Sequence, residues 1–184
     1  MLLDLIQPLR IDRLFAALAL IALSLPALAV DRDTPFSSID GGTLSIRQWE
    51  GQPVLVVNTA SLCGFSDQFR DLQTLYDRYR DDGLVVLAIP SDDFNQELGS
   101  NAEVKDYCEL TYGIDLPMTE ITPVLGRDAH PFYQSVRAEN GFIPRWNFNK
   151  ILLDQQGDIV ATFAARVAPM SVEITREIDT LLGL

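Results

Sequence analysis

Cysteine and histidine are nearly absent from this chain of 184 residues, which has two cysteines, Cys63 and Cys108, and a single histidine, His130. Two cysteines are too few for a disulfide scaffold, and neither has a second cysteine or histidine at metal-ligand spacing, which argues against a metal site. Positive charge is scarce as well. Lys and Arg total 14 against 26 Asp and Glu, a net charge of −12, which is the wrong sign for neutralising phosphates and excludes a nucleic-acid partner or a stable partner in an anionic membrane. Low-complexity runs, linkers and internal repeats are missing. The composition is 47% hydrophobic and 9% aromatic, so the chain can bury a core, and its length suits one domain with a short appendage.

That appendage is the N-terminus. Arg10 and Arg13 precede an uncharged run, residues 14–29, that closes on Ala27-Leu28-Ala29. This is the layout of a secretory signal peptide over residues 1–29, and its apolar run of 16 residues falls short of the roughly 20 needed to span a bilayer. Residues 30–184 are then an exported domain, periplasmic or extracellular, in which pairing of Cys63 with Cys108 is allowed but not implied.

Within that domain, Val54-Leu55-Val56-Val57-Asn58 is a short apolar run rich in β-branched residues, predicted to be a strand buried on both faces. Phe69, Leu72, Tyr76 and Tyr79 then recur at helical spacing, with Ser66 and Asp67 as cap candidates and Gly83 as the stop. Leu84 to Ile89 reads as a second buried strand ended by Pro90, which completes a βαβ unit. Ser100 and Glu103 have capping-box spacing ahead of Val104 and Cys108, so a second helix is predicted from about residue 101 to Gly113, with Cys108 on its apolar face. A loop with Pro117 and Pro123 follows, then a helix after Asp128 in which His130 is a capping or packing residue. Strands at Lys150 to Leu153 and Ile159 to Ala164 form a hairpin, and a helix carrying Ile174, Ile178, Leu181 and Leu182 closes the chain. Two parallel units, a hairpin and a closing helix describe an α/β fold, a thioredoxin-like sandwich with a central mixed sheet flanked by helices.

Cys63 lies just past the carboxyl end of the first central strand, where open α/β sheets place their ligands, and ahead of a helix whose terminus favours thiolate over thiol. The stretch Asn58-Thr59-Ala60-Ser61-Leu62-Cys63-Gly64-Phe65-Ser66 resembles the signature around the reactive residue of the glutathione peroxidase family. Three further blocks are similar in order and spacing: Ile89 to Gly99, Tyr107 to Met118, and Trp146-Asn147-Phe148-Asn149-Lys150. The resemblance implies a thioredoxin-like thiol peroxidase that reduces hydrogen peroxide or organic hydroperoxides through a Cys63 sulfenic acid. It needs no cofactor and draws electrons from a thiol reductant, a thioredoxin-like protein or glutathione. It further implies that Gln96, Trp146 and Asn147 surround Cys63 as uncharged donors and that Cys108 is the resolving thiol. The chain departs from the common pattern between Phe94 and Gln96, where it has one residue instead of two, and in carrying Asp92 and Leu98 for the usual Asn and Pro. The short connection between the His130 helix and Trp146 lacks the long insertion of tetrameric members, which implies a monomer or weak dimer. The alternatives are a thioredoxin-like oxidoreductase, which requires a C-x-x-C pair where this chain has Ser66, a peroxiredoxin, which wants Thr at the place of Ala60, and a non-catalytic domain holding a structural disulfide.

Overall fold

A computed structural model describes residues 29–184, so the predicted signal peptide lies, except for Ala29, outside the described residues. The sheet at the centre has four strands, β3 (Val54–Thr59), β4 (Val85–Pro90), β5 (Lys150–Leu153) and β6 (Ile159–Phe163), in the order β4-β3-β5-β6. Ahead of it, β1 (Phe36–Ser37) and β2 (Thr43–Leu44) form a small hairpin around Gly41 and Gly42, whose φ values of 91° and 75° are open to glycine and strained for other residues. That hairpin was not anticipated from the sequence, since strands of two residues carry no periodic signal.

β3 and β4 are parallel and in register from Val54 and Val85 to Thr59 and Pro90, as a βαβ unit requires. The connection is α1 (Gln68–Tyr79), followed by a 3₁₀ turn over Arg80–Asp82 that ends on Gly83 at φ 106°. The expected second parallel unit is not formed. After β4 the chain makes α2 (Asn101–Tyr112) and α3 (Pro131–Asn140), and β5 then pairs antiparallel with β3. Parallel pairing beyond β4 is limited to a single bridge between Ala88 and Met118, where the Ala88 N–H donates to the Pro117 carbonyl. The mixed sheet is thus as predicted, with one parallel pair in place of two.

Strand alternation divides the core. Leu55, Val57, Val86, Ala88 and Leu152 pack with α1, α2 and α4 (Val172–Leu182) through Phe69, Leu72, Val104, Cys108, Ile174 and Ile178. Val54, Val56, Val85, Leu87 and Ile151 face the other way, onto Phe132 and Val136 of α3. Both faces being covered, β3 and β4 are buried along their full length, which is why they read as continuous apolar runs. Each fully buried Phe or Leu adds about 1.5–3 kcal/mol to this packing.

Caps follow the predicted chemistry at two helices. Ser100 Oγ accepts from the Glu103 N–H at 3.3 Å at the start of α2, and His130 Nδ1 accepts from the Phe132 N–H at 3.2 Å at the start of α3. One buried charge breaks the apolar pattern. Lys150 of β5 is fully buried, and its ammonium donates to Gln68 Oε1 at 2.5 Å and to the Val167 carbonyl at 2.6 Å, while Gln68 Nε2 donates to the Ala165 carbonyl at 2.7 Å. Burial pushes the Lys150 amine down to about 7, against which the surrounding oxygens favour its charged form. The network ties the first residue of α1 to the segment after β6. Among the described residues no helix is long and apolar enough to cross a membrane.

Candidate active site

The site is assembled where β3 and β4 end. Past Thr59 the chain runs through turns to Asp67, and Cys63 sits in these turns, 3% exposed. Its Sγ accepts from the Phe65 N–H at 3.4 Å, and its carbonyl accepts from the Ser66 N–H at 2.9 Å. The expected position at a helix start is corrected here: α1 begins at Gln68, five residues later, and Asp67 at its N-cap makes no side-chain cap bond. A helix dipole fades within its first turn, so the Phe65 amide replaces it as the local dipole at the sulfur.

A second segment is pinned over this loop. The Leu62 N–H donates to the Gln96 carbonyl at 2.9 Å, and the Ser61 N–H donates to Glu97 Oε1 at 3.0 Å. The shortened stretch before Gln96 is accommodated by Asn95 at φ 54°, a conformation that asparagine tolerates, with the Asn95 N–H closing onto the Asp92 carbonyl at 2.8 Å. With that turn the Gln96 side chain meets Asn147: its Oε1 accepts from Asn147 Nδ2 at 3.1 Å.

The third segment precedes β5. Asn58, on β3, holds it through Asn58 Nδ2 to the Trp146 carbonyl at 3.0 Å and through its own carbonyl to the Phe148 N–H. Phe148 takes φ 63° and is buried, so the chain reverses locally with Asn147 fully buried and Trp146 40% exposed beside Phe94 at 5.4 Å between ring centroids. Trp146, which on pattern alone would be a core aromatic, instead borders an open cleft of about 630 Å³ lined by Phe65, Phe142, Ile143, Arg145, Trp146 and Arg166.

Gln96 and Asn147 are thus hydrogen-bonded to each other and Gln96 is joined to the Cys63 loop through its backbone, whereas none of the Gln96, Trp146 and Asn147 side chains hydrogen-bonds to Cys63 Sγ among the described residues. Cys108 is buried on α2 beside Val104, in the same core as Cys63, and both thiols are free. Burial, followed by the charges of Glu97 and Glu109, pushes the Cys108 thiol up to about 12. Among the described residues six buried side-chain polar atoms lack a hydrogen-bond partner, and five of them belong to Asn58, Thr59, Ser61, Glu97 and Asn147. Such atoms cost stability wherever they occur, and these five belong to the three segments joined by the Leu62–Gln96, Ser61–Glu97 and Asn147–Gln96 hydrogen bonds.

Sequence reasoning missed Glu97 and Lys150. A carboxylate next to Gln96 reads as a solvated loop residue. Lys150 had one usable signal, its strand alternation with Leu152, which puts both on the α1 face.

Residues 33–137 match the family model of glutathione peroxidase. The chain belongs to the glutathione peroxidase family. It is 41% identical over 155 residues to a glutathione peroxidase of Lactococcus lactis subsp. cremoris, covering 80% of this chain and 97% of that protein. It is 38% identical over 157 residues to a hydroperoxy fatty acid reductase of Synechocystis sp., covering 79% of this chain and 92% of that one. The crystal structure of apo Trgpx superposes with a TM-score of 0.66 at 25% identity, over 84% of this chain and 97% of that one. A thioredoxin-family thiol:disulfide interchange protein from Chlorobium tepidum superposes with a TM-score of 0.62 at 18% identity, over 84% of this chain and 97% of that one, and shows the thioredoxin fold alone. As a glutathione peroxidase the chain is a thiol peroxidase, an oxidoreductase that takes a peroxide as substrate and a thiol as reductant.

Proposed function

We propose that this glutathione peroxidase acts through Cys63, with Gln96, Trp146 and Asn147 as the polar groups around the reacting atoms and Cys108 as the resolving thiol. The Cys63 sulfur attacks one peroxide oxygen, the O–O bond breaks, and water or an alcohol leaves as Cys63 becomes a sulfenic acid. The Cys108 sulfur then displaces the sulfenic hydroxyl, giving a Cys63–Cys108 disulfide that an external thiol reduces. The observation that carries this reading is the hydrogen bond from the Leu62 N–H, one residue before Cys63, to the Gln96 carbonyl, which holds the Gln96 segment on the Cys63 loop. The Gln96–Asn147 bond supports it further, because it holds two side-chain amides together in spite of the shortened loop.

The cleft favours bulky substrates. Phe65, Phe142, Ile143 and Trp146 give it apolar walls, and Arg145 and Arg166 add cationic groups in an acidic protein, a combination suited to an organic hydroperoxide that carries a carboxylate. The hydroperoxy fatty acid reductase among the relatives is in line with this choice. Release of residues 1–29 would deliver the enzyme outside the cytoplasm, as a monomer or weak dimer, and a thioredoxin-like dithiol is the reductant suited to an intramolecular disulfide. Kinetics with a fatty-acid hydroperoxide and hydrogen peroxide, each with glutathione and with thioredoxin, test these assignments; a preference for hydrogen peroxide and glutathione would reverse them.

Cys108 is buried in α2 and both thiols are free, and a disulfide needs Cα atoms about 4.4–6.8 Å apart, so the proposed cycle includes a local opening of α2 that lets the two sulfurs meet. One equivalent of peroxide should consume both thiols in the wild type. In Cys108→Ser it should leave a Cys63 sulfenic acid that dimedone traps. Trapping of that species in the wild type, with Cys108 still titratable, would show a one-cysteine enzyme.

A further inference from the structure

Lys150 is a buried charge that the mechanism above does not use, and it stands behind one wall of the cleft. Residues 164–167 form a tight turn there, closed by the Val167 N–H donating to the Ala164 carbonyl at 3.0 Å, with Ala165 and Arg166 at its centre. Ala164, Ala165 and Arg166 line the cleft. The Lys150 ammonium donates to the Val167 carbonyl at 2.6 Å and to the Ala165 carbonyl at 3.4 Å, so it holds the backbone on either side of Arg166 while Arg166 itself is exposed. We propose that Lys150 is a positioning residue for substrate selection: through this turn it sets Arg166 to receive the carboxylate of an organic hydroperoxide. This rests on the cleft taking such a substrate.

Burying a charge costs stability, and packing alone gives no reason for one here. Lys150 opens a strand that is buried throughout, where a methionine of similar length would fill the space. A methionine cannot donate. An ammonium carries three N–H bonds, and the three acceptors around Lys150, Gln68 Oε1 at 2.5 Å and the two carbonyls, use all of them. A neutral amine would turn its lone pair toward one of these oxygens, so the arrangement selects the charged form. Gln68 adds a second hold on the same turn, since its Nε2 donates to the Ala165 carbonyl at 2.7 Å. Its backbone N–H donates to the carbonyl of Phe65, another wall residue, at 2.9 Å, and the Phe65 N–H in turn reaches Cys63 Sγ at 3.4 Å. The network thus joins the Arg166 turn to the Cys63 loop, and so fixes the span between a bound carboxylate and the sulfur that meets the hydroperoxide. A guanidinium held in this way can accept a carboxylate with both of its parallel donors.

The test compares a fatty-acid hydroperoxide with its methyl ester, which has the same chain and O–O bond and no carboxylate. In the wild type kcat/KM should favour the acid about 10–100-fold, the weight of a charge-assisted hydrogen bond. Lys150→Met keeps the volume and removes the ammonium. It should lower that preference about tenfold by raising KM for the acid, with kcat for both substrates and KM for the ester near their wild-type values. Arg166→Gln should abolish the preference, and the double variant should lose no more than Arg166→Gln alone, because both changes act on one contact. Gln68→Met leaves the charge and takes away the amide that bridges it to Ala165. It should show a smaller loss in the same direction, and it decides the matter if Lys150→Met does not fold. An unchanged acid-to-ester ratio in either folded variant would overturn the proposal, and so would an equal fall for acid and ester, which marks support of the fold alone. Failure of the underlying reading looks different, since the wild type would then turn over acid and ester alike, or Arg166→Gln would keep the preference.

Discussion

Replacing Cys63 by serine is expected to lower peroxidase turnover at least about 10³-fold, the scale of loss when a nucleophile is removed. The change exchanges one atom, and serine still offers an acceptor to the Phe65 N–H, so the loop that holds Cys63 has no reason to rearrange. What is lost is the sulfur, since a serine hydroxyl is a weak nucleophile toward the O–O bond and cannot carry the sulfenic acid. Peroxide consumption, measured beside the thermal midpoint, checks this. A folded Cys63→Ser protein that kept more than about 1% of turnover, with activity lost instead in Cys108→Ser, would exchange the roles of the two cysteines.

Asn147→Ala comes second, with an expected loss of about 10²–10³-fold in the rate constant for reaction with peroxide, the cost of one preorganised donor. Asn147 is fully buried, donates to Gln96 Oε1, and is set in place by a chain reversal that Asn58 and Phe148 define. Alanine removes the donor and also frees the Gln96 amide to turn away, so two of the groups proposed to act on the reacting atoms are weakened by one substitution. Because the backbone reversal does not depend on the Asn147 side chain, unfolding stability should fall by no more than about 2 kcal/mol, the scale of one lost buried hydrogen bond. A wild-type rate of sulfenic acid formation would remove Asn147 from the reaction, and a much larger loss of stability would make its role structural.

The lesson of the loop before Gln96 is a general one about reading sites from sequence. The stretch before Gln96 is one residue shorter than the common family pattern, and Asn95 turns through the left-handed region there, with the Gln96 side chain reaching Asn147. A count of residues fixes contour length and leaves the turn type open, and it is the turn that decides where a side chain lands. An error did occur at Cys63, where a helix start was expected and a run of turns intervenes, because cap-forming residues such as Ser66 and Asp67 are equally at home in turns.

Local information was enough for most elements. The β-branched runs of β3 and β4, the 3.6-residue spacing in α1 and the Ser100–Glu103 cap of α2 are properties of neighbouring residues, and the conformations they favour are the ones adopted. The motif around Cys63 and the three further blocks at compatible spacing likewise carried the family. Tertiary structure alone decided the rest: the antiparallel entry of β5, the exposure of Trp146, the buried ammonium of Lys150 between α1 and the segment after β6, and the buried carboxylate of Glu97 on the Ser61 amide. Each depends on partners 15 to about 100 residues away in the chain, as in the Lys150–Gln68 contact at a separation of 82 and the Ser61–Glu97 contact at 36. A charged side chain has the same local sequence signature whether it meets water or a buried acceptor, and only the packed fold removes the water.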